Sequence, residues 1–326
     1  MLSFFRTNQI LASSLLILYA AVLYLSVLYI PYSWEPQGYG LFTDLVYHWI
    51  GYQSVGAHVL AMVLVVVQGI TANVIDFSNK LSREQTLFPG LFLVLLSALS
   101  PIFLHLTPYH LANTFLLFAV VELMHVYRNS KSAGHIYNAG FYLGIAFMFV
   151  PAYWVFIFFL FAGLNILRSF EFKERLMVLS GFLTVLILAG TGYFWFDRWP
   201  EFVAGQFSEL KVFLAFGQIS LFGIIHLVVL GIILVVVLLQ QSKLQQKRIM
   251  QAQKKIDILY WMLLLGGIST FFHSGVDESH AMVIIPALGM LTGMQVATLP
   301  KRPAELLHFF LFVTALFFQY RVLIGI

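Results

Sequence analysis

The chain has 326 residues, 60% of them hydrophobic and only 10% charged, with a mean hydropathy of +0.90 and a formal net charge of +4. A soluble domain carries about 25% charged residues, so apolar surface on this scale has to be covered by lipid. The absence of cysteine excludes disulfides, thiolate metal sites and thiol nucleophiles, and the basic excess follows membrane topology, so no nucleic-acid partner is expected.

The predicted fold is all-α: one polytopic transmembrane domain over residues 1–326 with about eleven spans. A helix needs about 20 residues to cross ~30 Å of hydrocarbon. Span 1 covers 9–30, reached after a single Arg and with no small-residue cleavage site, which reads as a retained span. The first outer loop follows, and its second half, 41–50, mixes Leu, Phe, Val and Trp with Asp44 and His48, the pattern of an interfacial helix. Spans 2 to 4 cover 55–75, 87–106 and 110–127, and spans 5 and 6 cover 137–150 and 152–167. Span 7 covers 176–196, and the fourth outer loop after it, FDRWPEFVAGQFSELKVFLAFG, is again interfacial in character. Span 8 covers 219–239 and runs into a Gln/Lys extension at 240–255 suited to anionic headgroups. Spans 9 to 11 are 258–272, 281–297 and 306 to the end.

Charge fixes the orientation. With a cytoplasmic N-terminus, fifteen of the 18 Lys and Arg residues fall inside, and only Arg198, Lys211 and Arg321 fall outside. That is the positive-inside pattern, and it requires two passes over 137–167 despite their shortness. Span 5 then has about 14 residues, or ~21 Å at 1.5 Å per residue. Pro151 stops it, while Pro101 and Pro108 bracket the turn between spans 3 and 4. These bends should stop below the outer membrane surface and floor an outward-facing depression, lined by His105, Thr107, Tyr109, His110, Tyr153 and Trp154.

Candidate chemistry is sparse. Asp44, on the interfacial helix, is placed to act as general base on a hydroxyl at the lipid surface. The segment 273–280, HSGVDESH, reads as a polar hairpin, since its spacing fits no metal motif. Glu122 and His125 lie one turn apart near the cytoplasmic end of span 4, where snorkelling or pairing with Arg128 accounts for them. His58, His226 and the asparagines Asn73, Asn113, Asn138 and Asn165 read as interhelical hydrogen-bonding groups. There is no nucleophile elbow, HExxH, P-loop or dinucleotide fingerprint, so no cofactor and no metal centre is expected.

The run SPIFLHLTPYHLANTFLLFAV with YNAGFYLGIAFMFVPAYWVFIFFLFAGLNILRSFEFKE resembles an uncharacterised multi-pass inner-membrane family of Bacteroidota, over roughly 85–300. The layout is also similar to the C-type-fold membrane glycosyltransferases, which use polyprenyl-phosphate sugars. That resemblance implies that Asp44 stands at the catalytic carboxylate, that Arg198 or Lys211 meets the lipid phosphate, and that the partner is a polyprenyl-linked lipid in the bacterial inner membrane. The family pattern carries paired acids in the first outer loop; here Asp44 is joined only by Glu35, nine residues earlier. The alternative expectation is a non-enzymatic subunit or scaffold of an envelope, secretion or motility complex, with other envelope membrane proteins as partners.

Overall fold

The computed structural model describes residues 2–6, 10–30, 34–36, 38–208, 210, 219–246, 248–272 and 277–321, and within them all regular structure is helical. In chain order the helices are α1 (Leu2–Phe5), α2 (Ile10–Tyr24), α3 (Leu41–Ile50), α4 (Val55–Asn79), α5 (Phe88–Leu96), α6 (Pro108–Met124), α7 (Ala133–Phe149), α8 (Phe156–Leu167), α9 (Phe172–Trp195), α10 (Trp199–Phe207), α11 (Leu221–Leu239), α12 (Gln241–Gln245), α13 (Met250–Ser269), α14 (Ile285–Ala297) and α15 (Lys301–Tyr320). Short 3-10 turns precede α8 (Pro151–Val155) and α14 (Glu278–Ile284) and link α5 to α6 (Pro101–Leu104).

A helix stands at each of the eleven expected span positions. Among the described residues, six segments are long and apolar enough to cross a membrane: Val55–Asn79, Phe172–Trp195, Leu221–Leu239, Met250–Phe272, Glu278–Ala297 and Lys301–Tyr320. The chain is therefore a multi-pass membrane protein. The remaining positions hold shorter helices, and the expected 20-residue span at 87–106 is the furthest from its prediction. There α5 has nine residues, about 14 Å of rise. The reason is local: Ser97 Oγ turns back to bond Leu93 O (2.9 Å), Ser100 caps a new turn, and Pro101 cannot continue the old one. Every side chain of α5 is buried; a helix apolar on all sides has its place at the centre of a bundle. It packs between α4 and α14, and the amide of Asn73 accepts a hydrogen bond from the α5 backbone at Gly90 N (2.8 Å).

A second layer is built from α6, α7 and α9, with α8 set against α13. The α7–α9 pair packs closely. A Cβ on Gly181 would lie 2.2 Å from the backbone oxygen of Tyr137, so only glycine allows this approach. Without a hydrophobic drive between helices in lipid, such small-residue contacts carry the association.

The basic links gather at one end of the bundle. Arg6 meets Glu84 and Leu299 O, Arg83 donates to Gln246 O, Lys255 bonds Asn79, and Lys254 and Lys255 lie over the Tyr127 ring. Helices α3 and α10 lie at the other end, against the last residues of α7 and α9.

Gly181→Ala is expected to destabilise the protein by about 1–3 kcal/mol through overpacking. Gly192→Ala, which adds a methyl with nothing within 4 Å, should leave the melting temperature in detergent unchanged.

Candidate functional site

Helix α7 ends at Phe149, because Val150 is extended and Pro151 follows. Its last carbonyls have no partner within the helix, and in apolar surroundings each must find one. The chain supplies them from two distant segments. Gly40 N and Thr43 Oγ1 both donate to Phe149 O, at 2.8 and 2.9 Å. Gln206 Nε2 donates to Phe147 O at 2.8 Å, while its Oε1 accepts from Leu41 N at 3.3 Å. Thr43 and Gln206 are fully buried. Gly40 is needed for the approach, since a Cβ there would stand 2.4 Å from Met148 O. The start of α3 and the end of α10 are thus fastened side by side over the end of α7.

This joint fixes what the two helices present. Asp44 is exposed on α3, one residue beyond buried Thr43. Arg198, just before α10, lies over the Tyr193 ring and forks onto Glu201, with Nε–Oε2 at 2.8 Å. That pairing holds the Glu201 carboxyl below and the Arg198 guanidinium above their ordinary values. Asp44, Arg198 and Glu201 all act electrostatically on the Tyr193 hydroxyl, so two of the expected site residues, Asp44 and Arg198, share one patch. Lys211 lies outside the described residues.

Apolar grooves flank the patch. One of about 530 Å³ runs between α9 and α10, lined by Leu186, Gly190, Phe194, Trp199, Phe202 and Phe207 among others. The other, about 410 Å³, lies on α3 against Phe149, with Phe42, Leu45, Val46, Trp49 and Ile50. A charged patch set between apolar channels fits an amphiphile with an anionic head and a long hydrocarbon tail.

The turn residues expected to line a depression are held differently. His105, Tyr109, His110 and Tyr153 are at most 3% exposed, and Trp154 is half-buried against Phe272. His110 serves the start of α6: its Nδ1 accepts from Thr107 N (3.2 Å) and lies 2.8 Å from Thr107 Oγ1, a capping box with histidine in place of Glu. Tyr153 Oη donates to Asn113 Oδ1 (2.7 Å), whose Nδ2 donates to Met282 O (2.8 Å). His105 stacks on Trp34, and its Nδ1 lies 3.1 Å from His58 Nε2. Tyr47, from α3, donates to Leu106 O at 2.7 Å. The turn is thus packed with its own side chains and tied to α3 through Tyr47.

The sequence reads 273–280 as a polar hairpin and His226 as an interhelical hydrogen-bonding group, and the structure joins 277–280 to His226 in one buried cluster. His226 Nδ1 lies 2.7 Å from Glu278, and Ser100 Oγ bonds the same carboxylate. Beside it, Asp277 accepts from Ser279 N and lies 2.7 Å from His280 Nδ1, while Tyr109 packs on the His280 ring. Burial raises the Asp277 carboxyl, but the His280 and Ser279 hydrogen bonds outweigh it and hold the group below its ordinary range. The signal was present in two carboxylates and a His adjoining within 277–280; the partners Ser100 and His226 are remote in sequence.

No protein-family model matches the chain, and no curated protein does. Among solved structures, the fold matches ArnT from Cupriavidus metallidurans, crystallised with undecaprenyl phosphate, with a TM-score of 0.60 at 14% identity. The match covers 89% of this chain and 60% of that one, so the chain spans well under two thirds of the length of ArnT. The two share a fold, that of a polytopic helical membrane protein.

One outcome tests this geometry. Gln206→Leu leaves Phe147 O and Leu41 N without the partner that serves both, and each buried unpaired backbone group costs ~1–3 kcal/mol, so the melting temperature in detergent should fall.

Proposed function

We propose that the chain binds a polyprenyl-phosphate-linked sugar at the α3–α10 face and transfers the sugar to an acceptor hydroxyl. The observation that carries this reading is the joint that holds Asp44 on α3 and Arg198 before α10 around Tyr193, beside the apolar α9–α10 groove. The fold shared with ArnT, which was crystallised with undecaprenyl phosphate, supports it.

The hydrocarbon chain would lie in the groove against Phe194, Trp199 and Phe207. The Arg198 guanidinium presents a planar fork suited to two phosphate oxygens, and Lys211 is proposed as a second cation for the same phosphate. Glu201 holds the fork in its absence and has to yield when the phosphate arrives. Asp44 takes the proton from the acceptor hydroxyl as the acceptor oxygen bonds to the anomeric carbon. The bond from that carbon to the phosphate oxygen breaks, and the leaving polyprenyl phosphate keeps the electron pair under Arg198. The buried residues His105, Tyr109, His110 and Tyr153, with half-buried Trp154, shape the turns behind this face. On this reading the α3–α10 end faces the outer leaflet of the bacterial inner membrane, the N-terminus is cytoplasmic, and the eleven helices each cross.

Arg198→Ala should weaken binding of undecaprenyl phosphate to the purified protein. Asp44→Asn should keep that binding yet lower sugar transfer by roughly 10²–10⁴-fold, the range for a lost general base. Surface glycans unchanged by Asp44→Asn, in a strain where deletion of the whole chain alters them, would remove Asp44 from the site and favour a non-enzymatic envelope subunit.

A further inference from the structure

At the opposite end of the bundle, the sequence pairs Glu122 only with His125 or Arg128. The structure does something else with it. Arg128 sits over the Tyr127 ring, and among the described residues Glu122 has no Lys or Arg partner within bridging distance. Its Oε2 lies 2.6 Å from Nδ1 of His135, the third residue of α7. The rings of His125 and His135 lie with centroids 5.3 Å apart, tilted by 44°. One ligand atom from each of the three residues comes within 4.8 Å of the others.

We propose that Glu122, His125 and His135 form a binding site for a divalent transition metal, with zinc as the best-suited ion. Two imidazoles and one carboxylate are a donor set that zinc accepts in tetrahedral geometry, with the fourth position left to water. Ligand atoms around one such zinc stand about 3.3 Å apart, from bonds of roughly 2.0–2.1 Å. Closing from 4.8 Å needs side-chain torsions and no movement of the helices. The metal takes the place of the proton held between His135 and Glu122, and that proton passes to His135 Nε2 or to solvent. His125 is exposed and the other two are half-buried, which gives the ion a way in and leaves room for its water.

The backbone around the site is set in advance. Glu122 and His125 are one turn apart where α6 ends, so they project on the same side. The link to α7 is braced by Asn129 Nδ2 onto His125 O (3.3 Å), by Lys131 N onto Asn129 Oδ1 (3.0 Å), and by Arg168 onto Ser132. A bound metal would clip α6 to α7 across the turn that joins them. This site is independent of the α3–α10 face and of the function proposed for it.

The test uses the full chain in detergent, carrying an affinity tag without histidine, stripped with a chelator and then dialysed against zinc. One zinc per chain is expected, together with a rise in melting temperature, and cobalt in its place should show the visible bands of a tetrahedral ion. His125→Ala and His135→Ala should each abolish uptake and the cobalt bands while remaining helical and monodisperse. His48→Ala, an exposed histidine at the other end, should retain both. Absence of zinc from the wild-type chain, or full uptake by both histidine variants, would overturn the site and leave Glu122–His135 as an ion pair.

Discussion

The carbonyl end of α7 governs the geometry of the α3–α10 face. A helix that stops inside an apolar region has C=O groups that water cannot reach, and each unsatisfied group costs several kcal/mol in hydrocarbon. Here the debt is met by Gly40, Thr43 and Gln206, from segments more than 160 residues apart. Because Gln206 bonds both Phe147 O and Leu41 N, neither α3 nor α10 can shift without breaking the cap of the other. The positions of Asp44 and Arg198 follow from that joint and not from any attraction between them.

The short helices and the patch are thus two views of one constraint. If the end of α7 lay open to water, its carbonyls would be hydrated and nothing would need to cover them. Because Pro151 ends it early, two amphipathic segments are drawn over the gap, and their apolar faces are left beside α9 and Phe149 as grooves. The turn between α5 and α6 works the same way: Tyr47 reaches down to Leu106 O, while His110 closes the cap of α6 with its own ring nitrogen. Polar residues that a sequence reader would assign to a ligand are used here to satisfy backbone.

Much of this was legible in the residues. Hydropathy located the six helices long and apolar enough to cross a membrane and marked a helix at each other expected span position, and the amphipathic mix at 41–50 marked α3 at its observed bounds. Prolines 101, 108 and 151 gave the bends. Less legible was depth: the run at 87–106 is apolar throughout, and only Ser97 and Ser100, which recruit backbone groups, reveal that the helix stops at Leu96. His105, Tyr109 and His110 looked like a lining because composition cannot tell a buried cap from an exposed wall. His135 was missed beside Glu122 and His125, since it comes from the next helix and no fixed spacing announces it.

The Arg198–Glu201 fork has one more implication. With its counter-ion already in place, the guanidinium is never left bare, so an anionic headgroup trades places with a carboxylate and does not enter an empty positive well. In the reaction proposed above, such an exchange would keep the charge around Tyr193 nearly constant through a cycle of occupation and release. A departing lipid phosphate would be replaced at once by a tethered carboxylate, favouring turnover over tight retention of the spent carrier.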